Sequence, residues 1–263
     1  MGGSDMKLGM ITWIYEEDFK KAKQRNLEFV EIDVNSRHEE FLNKKENIKK
    51  LSEEYDMPIQ AIGRWGTIRI GKEGMMEEEF AIECKLIEAA ADLNCGIYIT
   101  GANFVEELSY YENCKLAISY FEKLIEYGKK YDVKIATYNC GWNNFVADDM
   151  AWTMIHGYLK DLSIKYDTSH CIYAGGDYIS ETAKWGERFA HVHIKGALQV
   201  NGNRVDDPPA GLDQTDWKSF MALLYAKGYK DGLSIEPHSG IWTGEMADKG
   251  VDYTIDYMRK LVL

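Results

Sequence analysis

Short apolar runs alternate with longer amphipathic stretches along most of the chain. The runs LGMITW (8–13), LEFVEIDV (27–34), IQAIGRW (59–65), GIYITG (96–101), VKIATYN (133–139), LSIKYD (162–167), AHVHIK (190–195) and LSIEPH (233–238) have the length and residue types of strands. Between them, Phe41, Ile48, Leu51 and Tyr55 share one face of a helix over 38–55, and Phe80, Cys84, Ile87 and Ala91 share one over 75–92. Further helical stretches are expected at 16–25, 104–131, 148–160, 177–187, 215–227 and 245–261. Eight strand–helix units in this order predict an α/β fold, a single (β/α)8 TIM barrel over residues 1–263, with a doubly wound open sheet as the alternative. Residues 1–6 are expected to lie outside the fold, disordered or a cloning remnant. The stretch QVNGNRVDDPPAGL (199–212) reads as a long polar loop.

Strand parity adds the chemistry. Successive side chains of a strand point to opposite faces. In 190–195 Ala190, Val192 and Ile194 share one face, so His191, His193 and Lys195 share the inner one. In 233–238 Ser234, Glu236 and His238 face inward, and in 162–167 Lys165 and Asp167 do. A barrel gathers function at the carboxyl ends of its strands. Asp33, Arg64, Asn103, Asn139, Asp167, His170, His193, Lys195, Glu236 and His238 all fall there, with Trp13, Trp65, Trp142 and Trp242. Those aromatic faces beside polar groups suit a sugar or polyol. Asp167, His193 and Glu236 converge at one height on three consecutive strands. Pairing with Lys165 or Lys195 would account for either carboxylate singly; a divalent metal, Mn, Mg, Co or Zn, accounts for all three together.

The formal net charge of -12 argues against a nucleic-acid partner. No run reaches membrane-spanning length, and no secretory signal is expected. Five scattered cysteines without a CxxC pair suit a reducing, cytoplasmic setting. No phosphate-binding glycine loop is present.

Four segments carry a family resemblance: YDTSH (166–170), HVHIKG (191–196), DPPAGLDQTDW (207–217) and GLSIEPH (232–238). Together, in this order, they resemble the xylose isomerase-like TIM-barrel superfamily of sugar phosphate isomerases and epimerases. The resemblance implies Asp167, His193 and Glu236 as metal ligands, with His170 touching substrate or the ligand shell. Two positions depart from the family pattern. Where a glutamate ends strand five, this chain has Tyr138 followed by Asn139, so a neutral oxygen from Asn139 or Tyr138, or a water, would fill the gap. Where an aspartate follows His-x-Lys, it has Gly196.

The expected reaction is isomerisation, epimerisation or β-elimination of a sugar, keto-sugar or polyol through an enediolate. Glu236 is the expected base and His170, His238 or Lys195 the second acid–base group. Lys195 also suits an oxyanion. Trp13, Trp65, Trp142 and Trp242 would pack on substrate, His191 would line the pocket below His193, and Arg64 would touch substrate; were the substrate phosphorylated, Arg64, Arg204 or Lys195 could bind the phosphate. The missing glutamate favours elimination on a keto-glycoside, with the chain as one subunit beside a partner; a homo-oligomer is also compatible. A non-catalytic barrel and an endonuclease-like phosphodiesterase are the remaining alternatives, the latter disfavoured by the charge.

Overall fold

The computed structural model describes residues 6–263, so expectations for residues 1–5 lie outside it. Met6 is buried in the core, where the sequence places it outside the fold. Eight parallel strands close into a barrel: β1 (Lys7–Thr12), β2 (Val30–Asp33), β3 (Ile59–Gly63), β4 (Ile97–Thr100), β5 (Lys134–Tyr138), β6 (Ser163–Asp167), β7 (Phe189–Ile194) and β8 (Gly232–Ile235). Each pairs with its sequence neighbours, and β1 closes the ring on β8 with Leu8 opposite Leu233. The fold is the expected (β/α)8 TIM barrel, not an open sheet.

The surrounding helices are α1 (Glu16–Gln24), α2 (His38–Glu54), α3 (Glu77–Asp92), α4 (Tyr110–Lys130), α5 (Asp149–Tyr158), α6 (Thr168–Tyr173), α7 (Tyr178–Trp185), α8 (Trp217–Ala226) and α9 (Glu245–Met258). Several starts are fixed by side-chain caps, which satisfy amide groups that the first helical turn leaves free. Ser109 and Glu112 form a capping box on α4, and Asp148, Asp177 and Asp216 cap α5, α7 and α8. Along α2 the inner face is the expected one. On α3 it is shifted: Glu83, Leu86, Ile87 and Ala90 are buried, while Phe80, Cys84 and Ala91 are only half-buried. The cause is Glu83, a buried carboxylate that a hydrophobic pattern does not mark.

The polar loop at 199–212 contains a hairpin, Leu198–Val200 paired with Asn203–Asp206. Its Asn201–Gly202 turn has φ of 53° and 77°, the left-handed pair that two-residue hairpins require. Beyond it, Asp213 accepts hydrogen bonds from the backbone amides of Ala197, Gly211 and Thr215 and from the Trp217 indole, pinning the loop to the end of β7. Gly196 is explained here, since a Cβ on it would meet the Pro208 carbonyl at 2.0 Å. No helix among the described residues is long and apolar enough to cross a membrane.

Candidate active site

Strand parity places His191 and His193 inside the barrel, with Lys195 just past β7 at its mouth. All three are buried. Beneath the mouth lies a residue that the sequence reading passed over, Glu31 on β2. Its carboxylate accepts from His191 Nε2 at 2.8 Å and lies 2.8 and 2.9 Å from His193 Nε2. The other His193 nitrogen, Nδ1, is 2.8 Å from Glu236 Oε2. A ring with a carboxylate on each nitrogen is satisfied only as imidazolium, where both nitrogens donate. Burial opposes that charge, but Glu31 and Glu236 outweigh it and raise the His193 pKa. The same contacts hold Glu31 well below the usual carboxylate range, against the opposing effect of burial. The signal for Glu31 was present in the alternation of LEFVEIDV, where Glu31 and Asp33 share the face opposite Val30 and Ile32.

Asp167 is oriented by its own helix. It ends β6 and caps α6, with Oδ1 accepting from Ser169 N at 2.9 Å and Ser169 Oγ at 2.7 Å. That leaves Oδ2, fully buried, turned toward the mouth without an aligned hydrogen-bond donor. The Lys195 ammonium lies 2.9 Å from this oxygen, 3.2 Å from Glu236 Oε2 and 3.1 Å from His170 Nε2. Lys165 is 3.9 Å from Asp167 Oδ2. Burial opposes ionisation of both Asp167 and Glu236, yet Lys195 is the leading cause that lowers both their pKa values. Burial brings His170 down to about 4, so it is neutral at pH 7. Glu31, Asp167 and Glu236 therefore meet His193, Lys165 and Lys195, with Asp33 beside Glu31 and Glu236.

The remaining expected residues divide. Trp13, with Asp33, Glu236 and His238, lines a cavity of about 370 Å³ whose wall is completed by Lys21 of α1 and Asp248 and Val251 of α9. Trp242 packs on the far side of Glu236 and His238, beside Pro208 and Pro209. Trp65 stands beside His193, ring centroids 6.3 Å apart, and Trp142 is exposed above Gly66. His238 is held through Nδ1 by buried Asp207 at 2.9 Å, and Tyr173 donates to the same carboxylate at 2.6 Å. Three sequence assignments need correction. Arg64 turns away into ion pairs with Glu79 (2.7 Å) and Glu83 (2.9 Å), so it meets no substrate phosphate. His191 lies fully buried against Glu31, below any surface that substrate could touch. Asn139 spends both ends of its amide on the Asp167 backbone, at 2.8 and 2.9 Å, extending the β5–β6 ladder rather than reaching the carboxylates. Tyr138 does point inward, but its hydroxyl accepts from Gly66 N and donates to the Trp142 carbonyl.

Oxygen or nitrogen atoms of Asp167, His193 and Glu236 lie within 4.8 Å of one another. Two carboxylates and an imidazole match a hard-to-borderline divalent ion once His193 gives up its Nδ1 proton, because only the neutral ring can be a ligand. A second cluster, Glu31, His191 and His193, lies deeper. By donor chemistry the upper set fits a metal ion.

Comparison with known proteins agrees with this architecture. Among curated proteins, none matches the sequence. Among solved structures, the apo 3-keto-D-glucoside 4-epimerase of E. coli superposes with a TM-score of 0.76 at 16% identity, covering 97% of this chain and 99% of its own. A D-allulose 3-epimerase from Methylomonas sp. gives 0.77 at 12% identity, with 98% of each chain covered. A D-tagatose 3-epimerase-like protein gives 0.77 at 17% identity, covering 97% of this chain and 98% of its own. These likenesses establish a shared fold. The family described as xylose isomerase-like TIM barrel matches residues 19–261, and the chain belongs to that family.

Proposed function

We propose that the protein is a sugar isomerase, epimerase or lyase that removes a proton beside a carbonyl and proceeds through an enediolate. The observation that carries this reading is the meeting of Asp167, His193, Lys195 and Glu236 at the carboxyl ends of β6, β7 and β8, beside a cavity walled by Trp13. The three similar structures are epimerases, or an epimerase-like protein, of keto-glucosides, allulose or tagatose, and the site is chemically suited to such substrates.

Glu236 is the base in this reading. Its carboxylate is ionised at neutral pH and borders the cavity. Lys195 donates to the oxygen on which negative charge develops. The neutral ring of His170 accepts or returns a proton at that oxygen. His238, oriented by Asp207, stands on the other flank of Glu236 as an acid for a leaving group. Asp167, His193 and Glu236 would hold a divalent ion (Mn, Mg, Co or Zn), which when bound supplies Lewis-acid polarisation of adjacent carbonyl and hydroxyl oxygens. Tyr138, in place of a carboxylate on β5, leaves the opposite face of the substrate without a second strong base. That favours β-elimination on a keto-glycoside, alone or beside a partner subunit, over direct inversion.

The test is a product screen by chromatography, with ketohexoses and 3-keto-glucosides incubated with Mn²⁺ and enzyme. Conversion that falls at least about a hundredfold in Glu236→Gln supports the reading, in line with the usual contribution of a positioned base. Conversion undiminished in that variant, or none with any substrate, refutes it.

A further inference from the structure

The ammonium of Lys195 occupies the space that a cation shared by Asp167 and Glu236 would take. It lies 2.9 Å from one carboxylate and 3.2 Å from the other, with His170 Nε2 at 3.1 Å. These are the same two carboxylates that, with His193, form the upper metal-capable set. Tyr138 stands on β5 where a further anionic ligand would shift the balance toward a dication, and its hydroxyl is committed to the backbone of Gly66 and Trp142. Two ammonium groups already lie against this carboxylate pair, Lys195 between both and Lys165 beside Asp167. An ammonium and a dication cannot share one pair of carboxylate oxygens, because like charges a few ångströms apart repel strongly at low dielectric.

We propose that Lys195 is a tethered competitor of the metal ion: it holds the cation position in the ion-free protein and swings outward before an ion binds. The inference rests on the metal-binding reading given above. Asp207, whose carboxylate acts electrostatically on Lys195, stands at the mouth already paired with Arg204, Tyr173 and His238, so the outward ammonium would join an existing polar cluster. The side chain of lysine, with four rotatable bonds from Cα to the ammonium, allows such a swing without backbone movement. The site would thus select for ions that outcompete an ammonium on carboxylate oxygen, and its affinity would be set by Lys195 as much as by the ligands.

The experiment titrates chelator-stripped full-length protein with Mn²⁺ and reads free ion by electron paramagnetic resonance. Wild type, Lys195→Met and Lys165→Met are compared, each checked by circular dichroism. Lys165 is the control for simple loss of positive charge, because it is near Asp167 but 3.9 Å away and outside the shared position. The expected result is Mn²⁺ affinity at least about tenfold higher in Lys195→Met, and a clearly smaller gain in Lys165→Met. Equal or weaker binding in Lys195→Met, or an equal gain in both variants, overturns the competitor role while leaving the metal reading in place. No binding by either wild type or Lys195→Met overturns both. If Lys195→Met does not fold, Lys195→Gln is read by the same criteria.

Discussion

Replacing Glu31 by glutamine tests the hidden half of the site. The variant keeps the shape and removes one charge. Glu31 takes hydrogen bonds from His191 Nε2 at 2.8 Å and from His193 Nε2 at 2.8–2.9 Å, fully shielded from water. A glutamine oxygen can accept one of these, but its amide nitrogen then faces a ring N–H, donor against donor. Hydrogen bonds to a charged group contribute about 1.5–3 kcal/mol each. Breaking one partner out of a buried pair costs about 3–5 kcal/mol. Glu31→Gln is therefore expected to lose about 3–5 kcal/mol at pH 7, read from urea unfolding curves. The pH dependence has a definite sign. Glu31 has a lowered pKa in the folded state, so its stabilisation is present above its unfolded value of 4.5 and is lost on acidification through the folded value. His193 has a raised pKa, so its contribution is full below 6.5 and disappears as pH rises through its folded value. Glu31→Gln should weaken both flanks of the wild-type stability profile. A loss under about 1 kcal/mol, with an unchanged profile, would refute the imidazolium bridged between two carboxylates.

Two further outcomes follow from the same geometry. Asp33 borders the mouth with one buried, unpartnered oxygen, and burial, then Glu31 and Glu236, push its pKa from 3.8 to about 7. Its ionisation opposes folding increasingly as pH rises from 3.8 to about 7, so Asp33→Asn should stabilise the protein by up to about 4 kcal/mol at pH 8 and negligibly at pH 4; equal melting shifts at both pH values would contradict this. A Cβ on Gly63 would lie 1.9 Å from the Trp65 ring, so Gly63→Ala should cost about 1–3 kcal/mol and alter tryptophan fluorescence, whereas Gly96→Ala, with open space, should do neither.

The barrel was legible because each strand is a short apolar run and each crossover an amphipathic helix, two periods that do not mimic one another. Parity along HVHIK and LSIEPH puts His193 and Glu236 on the inner side, where they meet in the structure, because one face of each strand is plainly apolar. The same logic undervalued β2, where two acidic residues alternate with apolar ones and read as an ordinary half-exposed strand. Only the closed barrel shows that Glu31 lies across from β7. Arg64 and Glu83 escaped for a related reason: a buried ion pair between a strand end and a helix leaves no mark on a one-dimensional pattern. The short α6 was hidden too, though its start at Asp167 is what aims that carboxylate. Asn139 was misread because its amide imitates a strand backbone, a role that depends on the geometry of its neighbour.

The central claim is that Glu236 removes a proton beside a carbonyl in the cavity lined by Trp13. The most direct measurement is proton NMR of ketohexoses and 3-keto-glucosides incubated with the protein and Mn²⁺ in D₂O. The account predicts deuterium at the carbon next to the carbonyl of at least one substrate, with exchange abolished in Glu236→Gln. No exchange with any of these sugars, or exchange that persists in Glu236→Gln, would contradict it.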